Sequence, residues 1–172
     1  ATAAHSPANR HPFGKVPVVE IDGLELIESV AITQYIDNAH NAGALQPANP
    51  AARAMTDKWI AVANNYLFPL FERGLVMPWV MHRVAGFPLE RETIERALPA
   101  ISRALGFLEG ELVADGAWTR HGFTLADVFL YPMVRSVELT PQGQAGISQC
   151  DRLLAWLEMC RARPSIAATR WE

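Results

Sequence analysis

The sequence is poor in cysteine and has no long uninterrupted apolar segment. Its 172 residues contain two cysteines, Cys150 and Cys160, and a helix carrying both would set them about 15 Å apart, too far for a disulfide bond. No apolar run approaches the roughly 20 residues that cross a bilayer, and the segment Ala1 to Arg10 lacks the apolar centre of a secretory signal. We therefore expect reduced core thiols in a soluble, cytoplasmic protein without a membrane partner.

Concentrations of charge and of metal-binding side chains are also missing. The net charge is −3, and both signs are scattered without the basic run that marks a nucleic-acid surface. The histidines are dispersed along the chain, so none has a neighbouring metal ligand in the sequence. We predict neither a nucleic-acid partner nor a metal site; the five histidines are His5, His11, His40, His82 and His121.

The chain does contain a strong β-hairpin signature. Apolar residues alternate on both sides of Asp22-Gly23 between Val16 and Ile27, a pattern typical of a two-residue hairpin turn. An isolated two-stranded hairpin is marginally stable in water, so it must join further strands or lie on helices. Because no other strand pattern follows, either a small α/β lobe is reduced to this hairpin or the other strands of its sheet precede Ala1, and we expect the second.

Helical spacing dominates the sequence after the hairpin. Ser29 can cap a helix that runs to about Ala39. The apolar face of this helix comprises Ile32, Tyr35, Ile36 and Ala39. The segment His40 to Pro50 contains Asn, Gly and two prolines without any period, which indicates an interdomain linker.

A long helix is predicted from Ala51. Pro69 and Pro78 should bend or break it, because proline has no N–H and its ring obstructs the preceding turn. The predicted apolar positions of this helix are Trp59, Ala63, Tyr66 and Leu70.

A further helix is predicted from about Leu89 to Leu112. The interior Pro99 should cause a kink or a fresh start, since an interior proline costs about 3 kcal/mol. The apolar stripe of this helix consists of Leu98, Ile101, Leu105, Leu108 and Leu112.

The C-terminal part begins with a capping-box pattern. Thr124 can accept from the backbone N–H three residues on, Asp127 can reach back, and Phe123 can pack on Val128. Another helix is predicted from about Ser148 to Ala162, ahead of a short turn opened by Ser165. These patterns divide the chain into residues 1–39, a linker at 40–50 and an all-helical domain at 51–172.

The hairpin and the first helix carry the candidate binding chemistry. Val16-Pro17 enters the first strand, and its peptide bond is either an ordinary trans bond or a cis bond that turns the Val16 N–H and C=O outward to hold an extended peptide. Glu28 and Ser29 suit an amino acid zwitterion at a helix N-terminus, with ammonium on Glu28 and carboxylate on Ser29. The alternative is that Ser29 only caps and Glu28 only complements the helix dipole. Lys15 can hold a further carboxylate or be merely solvated.

The order of these features resembles the cytosolic glutathione transferases, most closely the phi-like and related bacterial members. The segment Pro12 to Pro17, the hairpin and the pair Glu28-Ser29 are similar to the second half of the family's thioredoxin-like domain. The downstream motifs that resemble the family are Leu45-Gln46-Pro47, Pro50-Ala51-Ala52-Arg53, Trp59, Thr124-Leu125-Ala126-Asp127 and Arg163-Pro164-Ser165. The implied fold class is α+β but mostly α, with a partial thioredoxin-like domain before an all-helical one.

The resemblance implies roles for particular residues. The Val16-Pro17 bond would be cis, and Val16 would pair with the cysteinyl backbone of glutathione. Glu28 and Ser29 would hold the γ-glutamyl end, and Lys15 would assist a carboxylate. The implied glutathione-binding set is Lys15, Val16, Pro17, Glu28 and Ser29.

The resemblance also implies partners. Glutathione would be the co-substrate, with no metal, and a small apolar electrophile would be the second substrate, as in detoxification. The protein would be a homodimer. The implied second-substrate pocket would draw on Tyr66, Phe71, Met77 or Trp79, although packing roles are an alternative for all four.

The departure from the family lies at the start of the chain. Glutathione transferases have a strand, a helix and a second strand before this hairpin, and the Ser, Tyr or Cys that activates the thiol follows the first strand. The catalytic residue is therefore unknown and expected upstream of Ala1. If that segment exists, we expect an enzyme that promotes attack of the glutathione thiolate; the alternative is a non-catalytic dimerisation or interaction module of the same fold.

Overall fold

The computed structural model describes residues 9–112, 118–119 and 121–169. The chain divides into two compact units, Ala1–Ala48 and Asn49–Glu172. Among the described residues, the first unit holds a hairpin and one helix, and the second is helical. None of the described helices is both long and apolar enough to cross a membrane.

The first unit opens with the hairpin that the sequence predicts. Strands β1 (Val18–Ile21) and β2 (Leu24–Ile27) pair antiparallel, from Val18 opposite Ile27 to Ile21 opposite Leu24. Asp22 and Gly23 have φ angles of 51° and 76°. A type I′ turn requires positive φ at both central residues, which explains the choice of Asp-Gly.

Helix α1 (Ser29–His40) follows β2 after one residue. The prediction that Ser29 caps this helix is wrong, because Ser29 is its first helical residue and Glu28 occupies the N-cap position without a side-chain capping bond. The predicted apolar face is also only partly buried: Ile32 is in the core, whereas Ile36 is 39% exposed.

A buried carboxylate fixes the chain after α1. Asp37 accepts hydrogen bonds from the Asn41 Nδ2 at 2.8 Å, the Leu45 N–H at 3.1 Å and the Gln46 Nε2 at 2.9 Å. Bonds to an ionised acceptor are stronger than neutral ones. Asp37 therefore holds residues 41–46 against the last turns of α1, although they lie outside regular structure.

The second unit begins with a rod of consecutive helical segments. Helix α2 (Pro50–Val62) is followed by a π-helical turn at Ala63–Leu67, α3 (Phe68–Phe71), a second π-helical turn at Glu72–Val76 and α4 (Met77–Ala85). Asn49 caps α2 by accepting from the Ala51 and Ala52 N–H groups.

The π-helical turns explain why two prolines do not break this rod. Pro69 and Pro78 each follow a π-helical turn, at the second residue of α3 and of α4. A π turn inserts an extra residue, which relieves the clash of the ring with the preceding turn and rotates the face that follows. The prediction that Tyr66 lies on the buried face is consequently wrong, since Tyr66 is 68% exposed while Leu67 is buried.

Helix α5 (Arg91–Glu111) runs through Pro99 without a fresh start. Pro99 has no N–H, so the Glu95 carbonyl four residues earlier loses its helical hydrogen bond. Both residues are exposed, so water can satisfy that carbonyl. The predicted stripe lies inward, with four of its five members buried: Ile101, Leu105, Leu108 and Leu112.

Helix α6 (Leu125–Glu138) begins with the predicted capping box. The Thr124 Oγ1 accepts from the α6 N-terminal backbone, and the Thr124 N–H donates to Asp127 at 2.8 Å. Phe123 stacks under the guanidinium of Arg163, 3.8 Å from the ring centroid. The box is therefore confirmed, with Asp in the place that Glu usually takes.

Three further helices complete the second unit: α7 (Pro141–Ile147), α8 (Asp151–Arg161) and α9 (Pro164–Ala167). The sequence did not predict α7, and Cys150 precedes α8 instead of lying in it. Both cysteines are buried as free thiols, as expected. Burial, with the charge of Asp127, raises the pKa of Cys160 to about 12.

Three tryptophans form the centre of the helical unit. Trp118 lies 4.8 Å from the Trp59 ring and 5.1 Å from the Trp156 ring, measured between centroids. The Trp59 Nε1 donates to the Trp118 carbonyl at 3.0 Å. All three are at most 2% exposed, so they tie α2, α8 and the segment before α6 into one core.

Candidate functional site

The hairpin register brings the two predicted halves of the site together. Val18 pairs with Ile27 at the open end of the hairpin. The residues just before Val18 and just after Ile27 therefore leave the same end of the ladder. These are Val16-Pro17 on one side and Glu28-Ser29 on the other. Pro17 and Glu28 are 11 positions apart in the sequence. The Val16-Pro17 peptide bond is cis, which confirms that part of the expectation.

The approach to β1 is exposed over its whole length. Residues 12–17 are all exposed, including Lys15 and Pro17, and Val16 is 57% exposed. Within the described part of the chain, neither the N–H nor the C=O of Val16 has a hydrogen-bond partner. Such a free donor and acceptor on one residue can pair with one residue of an extended peptide.

The start of α1 provides the opposite side of the site. The Ile32 N–H donates to the Glu28 carbonyl at 3.0 Å, the first bond of the helix. The N–H groups of Ser29, Val30 and Ala31 therefore have no partner within the helix. Together with the positive end of the helix dipole, they favour a negatively charged group.

Glu28 has an unusual backbone conformation at this point. Its φ is 68° and its ψ is 117°, a region that non-glycine residues rarely occupy and that costs of the order of 1–3 kcal/mol. Its side chain is exposed and does not cap α1. A carboxylate therefore stands beside three free N–H groups, so that a cation and an anion of one ligand have adjacent partners.

Asn9 and His11, which no sequence pattern marks, organise the loop ahead of Val16. The Asn9 Nδ2 donates to the Lys15 carbonyl at 2.8 Å, and the Asn9 Oδ1 accepts from the His11 N–H at 2.9 Å. The His11 ring Nδ1 accepts from the Phe13 N–H at 3.1 Å. In the sequence His11 is only one of five dispersed histidines; its 5% exposure in a polar loop comes from tertiary structure.

The other end of the hairpin carries a separate polar cluster. The Asp22 Oδ2 accepts from the Tyr35 hydroxyl at 2.9 Å and lies 2.7 Å from the His40 Nε2. The Tyr35 hydrogen bond, followed by that of His40, lowers the pKa of Asp22. The same bond raises the pKa of Tyr35. This cluster fastens the turn to α1 at the end away from Val16 and Glu28.

The helical unit contains a cavity of its own. It encloses about 430 Å³ between the start of α2 and the end of α5, with Trp59, Met55 and Trp118 among its walls. None of the four expected second-substrate residues lines it. One of them, Phe71, is 1% exposed and is a core residue, while the Trp79 Nε1 donates to Gln142 at 2.9 Å. Among the residues that the structure describes, no cluster could hold a metal ion.

Comparison with known families matches both units. Residues 5–38 match the model of the glutathione S-transferase N-terminal domain, and residues 91–158 match that of the glutathione S-transferase C-terminal domain. Glutathione S-transferase F11 of Arabidopsis thaliana is 29% identical over 158 residues, covering 91% of this chain and 73% of its own. Glutathione S-transferase F14 of the same plant is 26% identical and covers 90% and 62%.

Solved structures agree with these matches. Glutathione transferase F2 from Populus trichocarpa superposes with a TM-score of 0.81 at 22% identity, covering 91% of this chain and 74% of its own. A glutathione S-transferase-I bound with lactoylglutathione superposes with a TM-score of 0.74 at 26% identity, covering 96% and 79%. The predicted fold class, a partial thioredoxin-like domain followed by an all-helical domain, is confirmed.

Proposed function

The chain belongs to the glutathione S-transferase family, as its phi-like resemblance implied, and from this membership we propose that it binds glutathione and promotes attack of its thiolate on a small apolar electrophile. The observation that carries the proposal is the start of α1, where the exposed Glu28 stands beside the free N–H groups of Ser29, Val30 and Ala31. The comparisons support a transferase over the alternative of a non-catalytic module.

Each part of glutathione has a matching partner at the open end of the hairpin. The γ-glutamyl end is an amino acid zwitterion: its ammonium pairs with Glu28, and its carboxylate is bound by Ser29 and the helix N-terminus. The cysteinyl residue lies extended along Val16, whose N–H and C=O pair with its backbone, next to Pro17. Lys15 assists a further carboxylate of the ligand.

Binding of both ends leaves the thiol held between them. A free thiol with a pKa of about 8.5 is only about 3% ionised at neutral pH, and lowering that pKa by two units raises the thiolate roughly 25-fold. A well-placed hydroxyl together with a helix N-terminus supplies stabilisation of that size. The residues assigned here position the tripeptide; the activating group is a separate element that we do not assign to any residue of this sequence.

We further propose a homodimer that works in the cytoplasm. The support is the family, whose members are generally dimeric, and the resemblance to its cytosolic branch. Light scattering on the purified protein tests the assembly: twice the mass of one chain is expected, and one chain mass at micromolar concentration contradicts it.

Calorimetric titration with glutathione tests the binding proposal. The full-length protein should bind, and the double variant Glu28→Ala with Ser29→Ala should bind at least about a hundredfold more weakly, since two charge-assisted bonds of about 1.5 kcal/mol or more are lost. Glu92→Ala is the matched control, an exposed first-turn glutamate of α5. No binding by the wild type at millimolar glutathione, or unchanged affinity in the double variant, refutes the proposal.

A further inference from the structure

We propose that Asn9 and His11 are positioning residues that aim the Val16 N–H into the glutathione site. This inference rests on the proposed function, because it assigns a role to residues that touch the ligand only through others. It concerns the loop from Asn9 to Lys15, which we call the Asn9 loop.

Asn9 closes the Asn9 loop by bridging its two ends. Its Nδ2 donates to the Lys15 carbonyl at 2.8 Å, six residues on, while its Oδ1 accepts from the His11 N–H at 2.9 Å. A side-chain amide carries its donor and its acceptor on separate atoms, so Asn9 can make both bonds at once. Replacement by an isosteric carboxylate would keep the second bond and lose the first.

The bond to the Lys15 carbonyl determines where the Val16 N–H points. That carbonyl and that N–H belong to the same peptide unit, which is planar and trans, so they point in opposite directions. With the carbonyl held on Asn9, the N–H is directed to the other side, away from the loop interior. The Asn9 amide thereby sets the orientation of the donor that we assign to the cysteinyl backbone.

His11 stabilises the middle of the Asn9 loop with two further bonds. Its ring Nδ1 accepts from the Phe13 N–H at 3.1 Å, and its carbonyl accepts from the Gly14 N–H at 2.9 Å. Gly14 has a φ of 62°, which glycine adopts without strain. The Nδ1 can accept only when it carries no proton, so the Nε2 tautomer is the one that fits.

The exposure pattern shows why these hydrogen bonds determine the loop conformation. Residues 12–17 are all exposed, and Phe13 is 76% exposed although its ring lies 6.0 Å from the His11 ring, so apolar packing contributes little to holding them. His11 is the buried residue of this stretch, at 5% exposure. Without its bonds and those of Asn9, the segment would sample other conformations, and ordering it again would weaken binding.

Calorimetry on four variants of the full-length protein tests the inference. Asn9→Asp and Asn9→Leu should each bind glutathione about tenfold more weakly; the leucine variant excludes simple repulsion between an added charge and an anionic ligand. His11→Phe keeps an aromatic ring but has no acceptor and should bind about tenfold more weakly. His11→Asn should stay within about threefold of the wild type, because an Asn Oδ1 accepts the N–H two residues on.

Thermal unfolding of the same variants separates positioning from folding. The two Asn9 variants should keep a melting temperature close to that of the wild type, since Asn9 is not buried and residues 12–17 are exposed. His11 is buried, so some loss of melting temperature is expected in its variants, and their affinities are compared at a temperature at which both are fully folded. If Asn9→Leu and His11→Phe bind as tightly as the wild type, or if His11→Asn fails to rescue, the inference is overturned while the proposed function stands. If the wild type itself does not bind glutathione, the proposed function fails first.

Discussion

Trp156 donates a 2.8 Å hydrogen bond from its Nε1 to the Oδ1 of Asp127, 29 residues earlier in the chain. Both side chains are 0% exposed. The other carboxylate oxygen of Asp127 accepts from the Thr124 N–H and lies 3.3 Å from the Thr124 hydroxyl. Burial raises the pKa of Asp127, and these bonds oppose that rise. One carboxylate thus caps α6 and joins it to α8.

Asp127→Ala should destabilise the protein by about 3 kcal/mol. The variant loses the capping box and leaves the Trp156 and Thr124 N–H groups unpaired inside the core. Asp127→Asn should cost less, because its carbonyl oxygen can still accept from Trp156. Urea unfolding measures both. Equal stability of the alanine variant and the wild type would show that the pairing contributes nothing net.

Gly143→Ala should be among the most destabilising single-methyl additions in the helical unit. A Cβ at Gly143 would lie 2.0 Å from the Val137 carbonyl oxygen, whereas a Cβ at Gly106 in α5 meets nothing within 4 Å. The crowded variant should therefore lose about 3 kcal/mol or fail to fold. The matched Gly106→Ala should gain about 0.5–1 kcal/mol from helix propensity. The reverse order of melting temperatures would contradict the close approach of Gly143 in α7 to the Val137 carbonyl.

Asp22→Asn should change the dependence of stability on pH. Because the folded pKa of Asp22 lies below its ordinary value of 3.8, the ionised group stabilises the fold above that value, and the contribution is lost as the pH falls through the folded pKa. The stability difference between wild type and variant should shrink as the pH falls below about 4. Asparagine tolerates the positive φ of this turn position.

Tyr35→Phe provides the control for that titration. The Tyr35 hydrogen bond is the largest cause of the lowered Asp22 pKa, so its loss should remove part of the same acid-dependent difference. Urea midpoints measured between pH 3 and pH 7 give the comparison. A difference between wild type and Asp22→Asn that does not vary over this range would contradict the role of the cluster.

The elements that could be predicted from the sequence are those fixed by local chemistry. Asp22-Gly23 between alternating apolar residues is sufficient to predict a type I′ hairpin, and Thr124 with Asp127 is sufficient to predict a capping box. The stripe of α5 follows from spacing alone. In each case the residues that determine the structure are within a few positions of one another, so the local sequence pattern is enough to predict it.

Other features depended on three-dimensional context. A constant helical period predicts that Tyr66 lies on the buried face of the helix. The sequence pattern gives no indication of the π-helical turn before Pro69, which rotates that face. Helix α7 is short and contains Pro141, Gly143 and Gly146, so its composition resembles a loop. The sequence predicts Ser29 as the N-cap of α1, but Glu28 occupies that position. Residue propensities do not favour a glutamate with positive φ, so they do not indicate Glu28 there.

The residues of the candidate site likewise fall into those that the sequence indicates and those that depend on three-dimensional context. Glu28 and Ser29 could be selected from their position at a helix start, and Val16-Pro17 from its place before a strand. That the two pairs lie at one end of the hairpin follows from the register. The Asn9 and His11 bonds could not be anticipated, because loop hydrogen bonds leave no period in a sequence.

The most direct test of the account is the behaviour of the Val16 amide when glutathione binds. Heteronuclear NMR on nitrogen-labelled full-length protein should show the Val16 N–H resonance shifting in step with saturation, and its hydrogen exchange should slow. The Ile21 amide, which belongs to the hydrogen-bonded pair with Leu24 next to the turn, serves as the internal reference and should change little. Calorimetric saturation with glutathione that leaves the Val16 resonance and its exchange rate unchanged would contradict the central claim.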